Sequence, residues 1–206
     1  MKSILKTAMA AMLAVTAMSG AAAAATKERA YDTFSHAGPA YGVGYLCVAG
    51  AAGGCGPTSV IEAMPFIPLV AGALDHIDMA LENFAPTYGN LGIGVGVALV
   101  ADNNGLPATN QFPLEEWVVT KVPAAPAPPA KLKLTKVISK RHPALSTSKK
   151  YWLVVVPAGL DTIVGWHIGN SGLNGVAVST DGGASFTGFG TASMAYDVWI
   201  QTPPPN

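Results

Sequence analysis

Residues 151–157 read Tyr-Trp-Leu-Val-Val-Val-Pro, and the reading of that run decides the fold. It is rich in β-branched residues and Pro157 caps it, so it predicts the most apolar strand of the chain, Tyr151 to Val156. Tyr151 and Trp152 are neighbours, so on a strand they point to opposite faces and one of them lies off the main core. Downstream, Ile163 to Ile168, Gly175 to Ser179 and Tyr196 to Gln201 repeat the pattern, with Asp181-Gly182-Gly183 as a hairpin turn. Upstream, Ile77, Met79 and Leu81 alternate with Asp78, Ala80 and Glu82, which predicts a strand with one wet face. Ile93 to Ala101 runs into the turn Asp102-Asn103-Asn104-Gly105, and Trp117 to Val122 follows. Leu132 and Leu134 alternate with Lys131, Lys133 and Thr135, which predicts a strand with lysines on its solvent face. Glu62 to Leu74 contains Pro65 and Pro68 and reads as a loop. The expected fold is all-β, an antiparallel, jelly-roll-like β-sandwich.

Composition agrees with that class and removes others. Of 206 residues, 12% are charged against about 25% in ordinary soluble proteins, and 50% are hydrophobic. So apolar a chain is not disordered. Its 23 Gly and 16 Pro argue against a helical bundle or coiled coil. A formal charge of zero, from 12 basic and 12 acidic side chains, argues against a nucleic-acid binder.

The first residues read as an export signal. Lys2 and Lys6 precede the apolar run Ala8 to Ala17, and the alanines from Ala21 to Ala25 suit cleavage near Ala25. Without residues 1–25, 10 basic side chains face 12 acidic ones, a formal charge of −2. The most apolar later segment, Val60 to Leu74, holds Glu62 and two prolines, so stable membrane insertion is not expected. The expected organisation is a signal peptide over 1–25 and a Gly-rich segment, loop or first strands, over 26–73. The sandwich is expected over 74–202, with a tail over 203–206. The two cysteines, Cys47 and Cys55, predict a structural disulfide in a secreted protein.

Little in the chain points to catalysis. Glu115 and Glu116 are adjacent and face opposite ways on a strand, as Asp75 and Asp78 do, and no G-x-S-x-G elbow occurs. His76 and His167 fall within strands and read as structural. Asp102 and Asp181 could ligate calcium but are ordinary turn formers, so no metal or other cofactor is expected. Binding residues are easier to nominate. Carbohydrate modules stack sugars on exposed aromatic rings, and Trp166 with His167, Asn170 and Tyr151 is the candidate cluster. From Lys121 to Lys150 lie eight of the ten basic residues after the signal and no acid. Lys131, Lys133 and Lys136 are the candidates for holding a polyanion, or for guarding an edge strand.

Several motifs recur in the order of one family. They are Ile77-Asp78 with Ala80-Leu81, Val97 to Asp102 leading into Asn104-Gly105-Leu106-Pro107, and His142-Pro143-Ala144-Leu145 before Tyr151-Trp152-Leu153-Val154. Trp166, Ser179 to Phe186, and Ala195, Tyr196 and Val198 follow. Over Leu74 to Ile200 the chain resembles the bacterial choice-of-anchor R domain family, whose exported members often carry a C-terminal exosortase sorting signal. The resemblance implies a non-catalytic β-sandwich at the cell surface or in the extracellular matrix, with an extracellular polysaccharide or another matrix protein as partner. The sequence after Thr202 has no hydrophobic tail or arginine cluster, so a freely secreted form is expected.

Overall fold

The computed structural model describes residues 25–34, 44–84, 94–108, 111–124, 133–169, 175–190 and 192–203. The fold is an all-β sandwich whose strands pair antiparallel. At its centre β11 (Tyr151–Pro157) lies between β3 (Ile61–Phe66) and β6 (Val95–Asn103). This sheet continues through β13 (Val176–Ser179) and β14 (Thr187–Phe189) beyond β3, and through β7 (Leu106–Pro107) and β8 (Glu115–Val119) beyond β6. A second sheet runs β1 (Thr26–Asp32), β15 (Tyr196–Thr202), β4 (Gly72–Met79), with β9 (Thr135–Ile138) and β10 (Ala144–Leu145) both on β4. A third, small sheet places β12 (Ile163–His167) between β2 (Tyr45–Ala49) and β5 (Leu81–Asn83).

The run at 151–157 behaves as its composition requires. Tyr151, Leu153 and Val155 enter the main core with Met64, Phe66, Val97 and Leu99. Trp152 and Val154 face the other way and are buried in a second cluster with Ile61, Ala63, Val100 and Ala177. The Asn104-Gly105 turn has the expected backbone: φ is 53° and 88°, both left-handed, joining β6 to β7 in a two-residue hairpin. Gly105 N donates to Asp102 Oδ2 at 3.0 Å.

Three expectations need correction. Residues 61–66 form β3, not a loop. Among the described residues its neighbour β13 reaches only Ile61–Ala63, so Pro65 has no ladder partner on that side, where a residue without an N–H is tolerated. Of the two forms open for 26–73, loop or first strands, the described part takes the second: β1, β2 and β3 are members of the three sheets. The strand at 77–82 is not one strand with a wet face. It breaks at Ala80, whose N–H donates to Ala195 O at 3.0 Å while its carbonyl accepts from His167 N at 3.0 Å. Beyond this break the chain passes from the second sheet to the third, and both Ala80 and Glu82 are buried. Finally, the lysine-bearing strand begins at Thr135, which is buried, so its alternation is out of phase with the one expected from Leu132 and Leu134.

The sheets join at their corners. β4 runs into β5 through Ala80, and a bridge between Ala49 and Val60 ties β2 to the start of β3. The linked strands therefore run from β9 through β4, β5, β12, β2, β3, β11 and β6 to β8, a nearly closed, barrel-like circuit. Its two ends are the edges of β8 and β9.

Candidate functional site

The aromatic cluster expected at the surface is inside the protein. Trp166 is 0% exposed, because β12 has neighbours on both edges and Trp166 shares the core face with Val164. Its Nε1 donates to Ala195 O at 3.3 Å, and its ring meets Tyr196 edge-on at 5.9 Å. Tyr151 is also buried, packed on Phe66 at 5.7 Å, with its hydroxyl accepting from Ser146 N. His167 is buried on the opposite face of β12 from Trp166, with Nε2 2.6 Å from Glu82 Oε2. Asn170 lies outside the described residues. The expected exposed platform therefore does not exist at Trp166.

The other indoles are no freer. Trp152 donates to Asp102 Oδ1 at 2.8 Å. Trp199, half-buried on the outer face of β15, has His76 of β4 stacked on it at 5.5 Å and 11°. Arg29 of β1 lies over the same ring at 4.9 Å. Because β15 lies between β1 and β4, these two partners flank the indole from either side. The accessible aromatic near His167 is Tyr45, which stacks on Phe84 at 4.4 Å. Gly165 makes room for that pair, since a Cβ there would fall 2.3 Å from the Phe84 ring.

The outer face of the second sheet holds a charge network that strand parity did not predict. His76 Nδ1 lies 2.6 Å from Asp75 Oδ2, and His76 Nε2 lies 3.4 Å from Asp78 Oδ2. Both carboxylates thus reach one imidazole, although three residues separate them. Burial acts to raise the Asp75 carboxyl, but hydrogen bonds from Gln201, Lys27 and His76 outweigh it and hold the group well below the usual range. Asp197 shifts the other way, to about 6, through burial and the charge of Asp78. Both His76 nitrogens face carboxylates, so the set works as a brace across β1, β15 and β4.

The lysines come together between the two free ends of the strand circuit. β8 pairs only with β6 and β9 only with β4 among the described residues. Side chains join the two strands. Trp117 Nε1 donates to Ile138 O at 2.8 Å. The buried Glu115 carboxylate accepts from Ser139 Oγ at 2.5 Å, Lys140 N at 2.5 Å and Arg141 N at 3.2 Å. His142 N in turn donates to Ser139 Oγ at 2.9 Å, with His142 in the left-handed region at φ 48°. Outside this clasp lies a furrow of 630 Å³ lined by Val118, Ile138, Lys121, Lys136 and Lys140, with Glu116 its acidic member. A second hollow of 440 Å³ shares Val119, Lys121 and Lys136 with it and adds Lys133. Lys121, Lys133 and Lys140 are exposed, and Lys136 reaches Asp78 at 3.5 Å while half its side chain stays open. Of the expected polyanion residues, Lys133 and Lys136 thus share one furrow, and Lys131 lies outside the described residues. The sequence reading counted Lys121 and Lys140 in the basic stretch but did not single them out, because only the meeting of β8 with β9 brings them to the same place.

Cys47 and Cys55 form the expected disulfide, with Cα atoms 6.3 Å apart. Among the described residues no helix is long and apolar enough to cross a membrane. Asp102 and Asp181 are engaged in their own turns: Asp181 accepts from Ser179 Oγ at 2.7 Å and from Ser185 N at 3.0 Å. Among the described residues no three His, Cys, Asp or Glu side chains are grouped to hold a metal ion. The chain matches no protein-family model, and comparison with curated proteins found no significant match.

Proposed function

We propose that this chain is an exported, non-catalytic β-sandwich of the cell surface or extracellular matrix that holds an anionic polymer along the β8–β9 seam. The observation that carries this reading is the pair of neighbouring hollows on that seam: Lys121, Lys136 and Lys140 line the furrow with Val118 and Ile138, and Lys133 joins Lys121 and Lys136 in the second. Exposed lysines at this density create a positive potential that a chain of carboxylates or sulfates neutralises along its length. The apolar floor adds contact without demanding a shaped pocket. The leader-like residues 1–25, the disulfide and the resemblance to choice-of-anchor R domains support an extracellular setting. An anionic exopolysaccharide is the partner that such a setting supplies.

Retention of the protein on immobilised alginate, at low salt and at about 0.5 M salt, tests the proposal; the Debye length there falls to roughly 4 Å. The expected result is retention that salt abolishes and that a Lys121/Lys133/Lys140 triple glutamine variant loses at least tenfold. Equal retention of that variant, or retention indifferent to salt, overturns it.

A further inference from the structure

Glu62 is the residue whose position the proposed function leaves without a use. It lies on the core-facing side of β3, in register with Val155 on β11 and Val178 on β13, and is 3% exposed. Its Oε2 is buried with no hydrogen-bond partner. A carboxyl oxygen left so is costly, by about 1–3 kcal/mol or more for a group that can ionise. Such a group calls for an explanation, and a molecule from outside the chain that satisfies it is one. The surroundings show where that would be. Glu62 lines a cavity of about 250 Å³ whose wall is Leu46, Val60, Val178 and the Cys47–Cys55 disulfide. The wall is apolar and Glu62 is its one ionisable side chain.

We propose that this cavity binds a small apolar primary amine, its ammonium group donating to the Glu62 carboxyl, whose unpartnered oxygen turns into the space to meet it, and its hydrocarbon body lying against the disulfide wall. Several features select this class. The lining offers no cation, so an anionic ligand would meet the carboxyl with nothing to offset it. A plain hydrocarbon would fill the cavity and leave the oxygen orphaned. A neutral alcohol brings a donor without the charge that lets a buried carboxyl ionise. Burial pushes Glu62 up to about 8, so the carboxyl gives up its proton in neutral solution only when a positive group arrives beside it. At ~30 Å³ per water the cavity would hold about eight waters, which is room for an amine carrying about six to eight carbons.

Calorimetric titration of the intact disulfide-bonded protein with benzylamine and hexylamine, against benzyl alcohol and hexanol, tests the assignment. At least one amine is expected to bind saturably and at least tenfold more tightly than its alcohol. Glu62→Gln keeps the shape and removes the charge, and is expected to reduce that binding at least tenfold in a folded protein. Val178→Trp, which fills the cavity and leaves Glu62 in place, is expected to abolish it. The assignment is overturned if neither amine saturates, if the alcohols bind as tightly, or if Glu62→Gln binds the amines unchanged. Loss of alginate retention would not bear on it, because the lysine furrow and this cavity share no residue.

Discussion

At the scale of single residues, two buried side chains carry opposite messages. Glu62 is a destabilising choice in the free protein. Its carboxyl titrates near 8 when folded and near 4.5 when unfolded, so between those values the folded state binds more protons than the unfolded one. Stability should therefore fall as pH rises from about 4.5 to about 8, then level off. Glu62→Gln should flatten that slope and raise stability at pH 9 by several kcal/mol, on the order of 1.4 kcal/mol for each pH unit that separates the folded and unfolded titrations. Urea unfolding of both proteins at pH 5 and pH 9 measures it; parallel pH profiles would refute the assignment of the slope to Glu62. Trp166 is the reverse case, a large ring fully enclosed between β2 and β5. Trp166→Ala should cost about 3–5 kcal/mol, read as a lowered denaturant midpoint.

At the scale of elements, the joint between β8 and β9 rests on side chains where other strands use backbone ladders. Glu115→Ala would leave the Ser139 hydroxyl and the Lys140 and Arg141 amides without their acceptor, so a loss of roughly 3 kcal/mol is expected. Trp117→Phe removes one indole hydrogen bond and should cost about 1 kcal/mol. In both variants amide hydrogen exchange should accelerate across 135–141 before it does so in β11, which has ladders on both edges. The elements also divide by what could be read in advance. β11 and the Asn104-Gly105 hairpin were legible because their signals are local: a dense β-branched run and a residue pair suited to left-handed backbone. β3 was hidden by Pro65 and Glu62, each of which is normally evidence against a buried strand. Parity along β12 puts Trp166 and His167 on opposite faces, which their grouping in one cluster overlooked, and the core side was decided by β2 and β5, which come from distant sequence. The furrow was half legible. Lys136 lies in β9 and Lys133 just before it, whereas Glu115 meets Ser139 across 24 positions that no local pattern spans.

At the scale of the whole molecule, the disulfide and the order of the strands govern how the sandwich is held together. Cys47 and Cys55 close a loop of 8 residues' separation, too short for much chain entropy. Reduction should lower stability by roughly 2.5 kcal/mol or less and leave the fold intact. Circular dichroism with and without reductant at 25 °C checks this, and global unfolding on reduction would contradict it. The larger constraint is the pairing of β1 with β15, in which Thr26 lies opposite Thr202 and Asp32 opposite Asp197. β15 is also the strand through which β1 joins the sheet. A strand made near the start of synthesis therefore has no partner until Tyr196–Thr202 has been polymerised. A nascent chain shorter than that can pair β4 with β9 and β10 but cannot add β1 to its second sheet, however long it waits on the ribosome. Until then β1 waits as an unladdered ribbon beside a β4 that already holds β9 and β10.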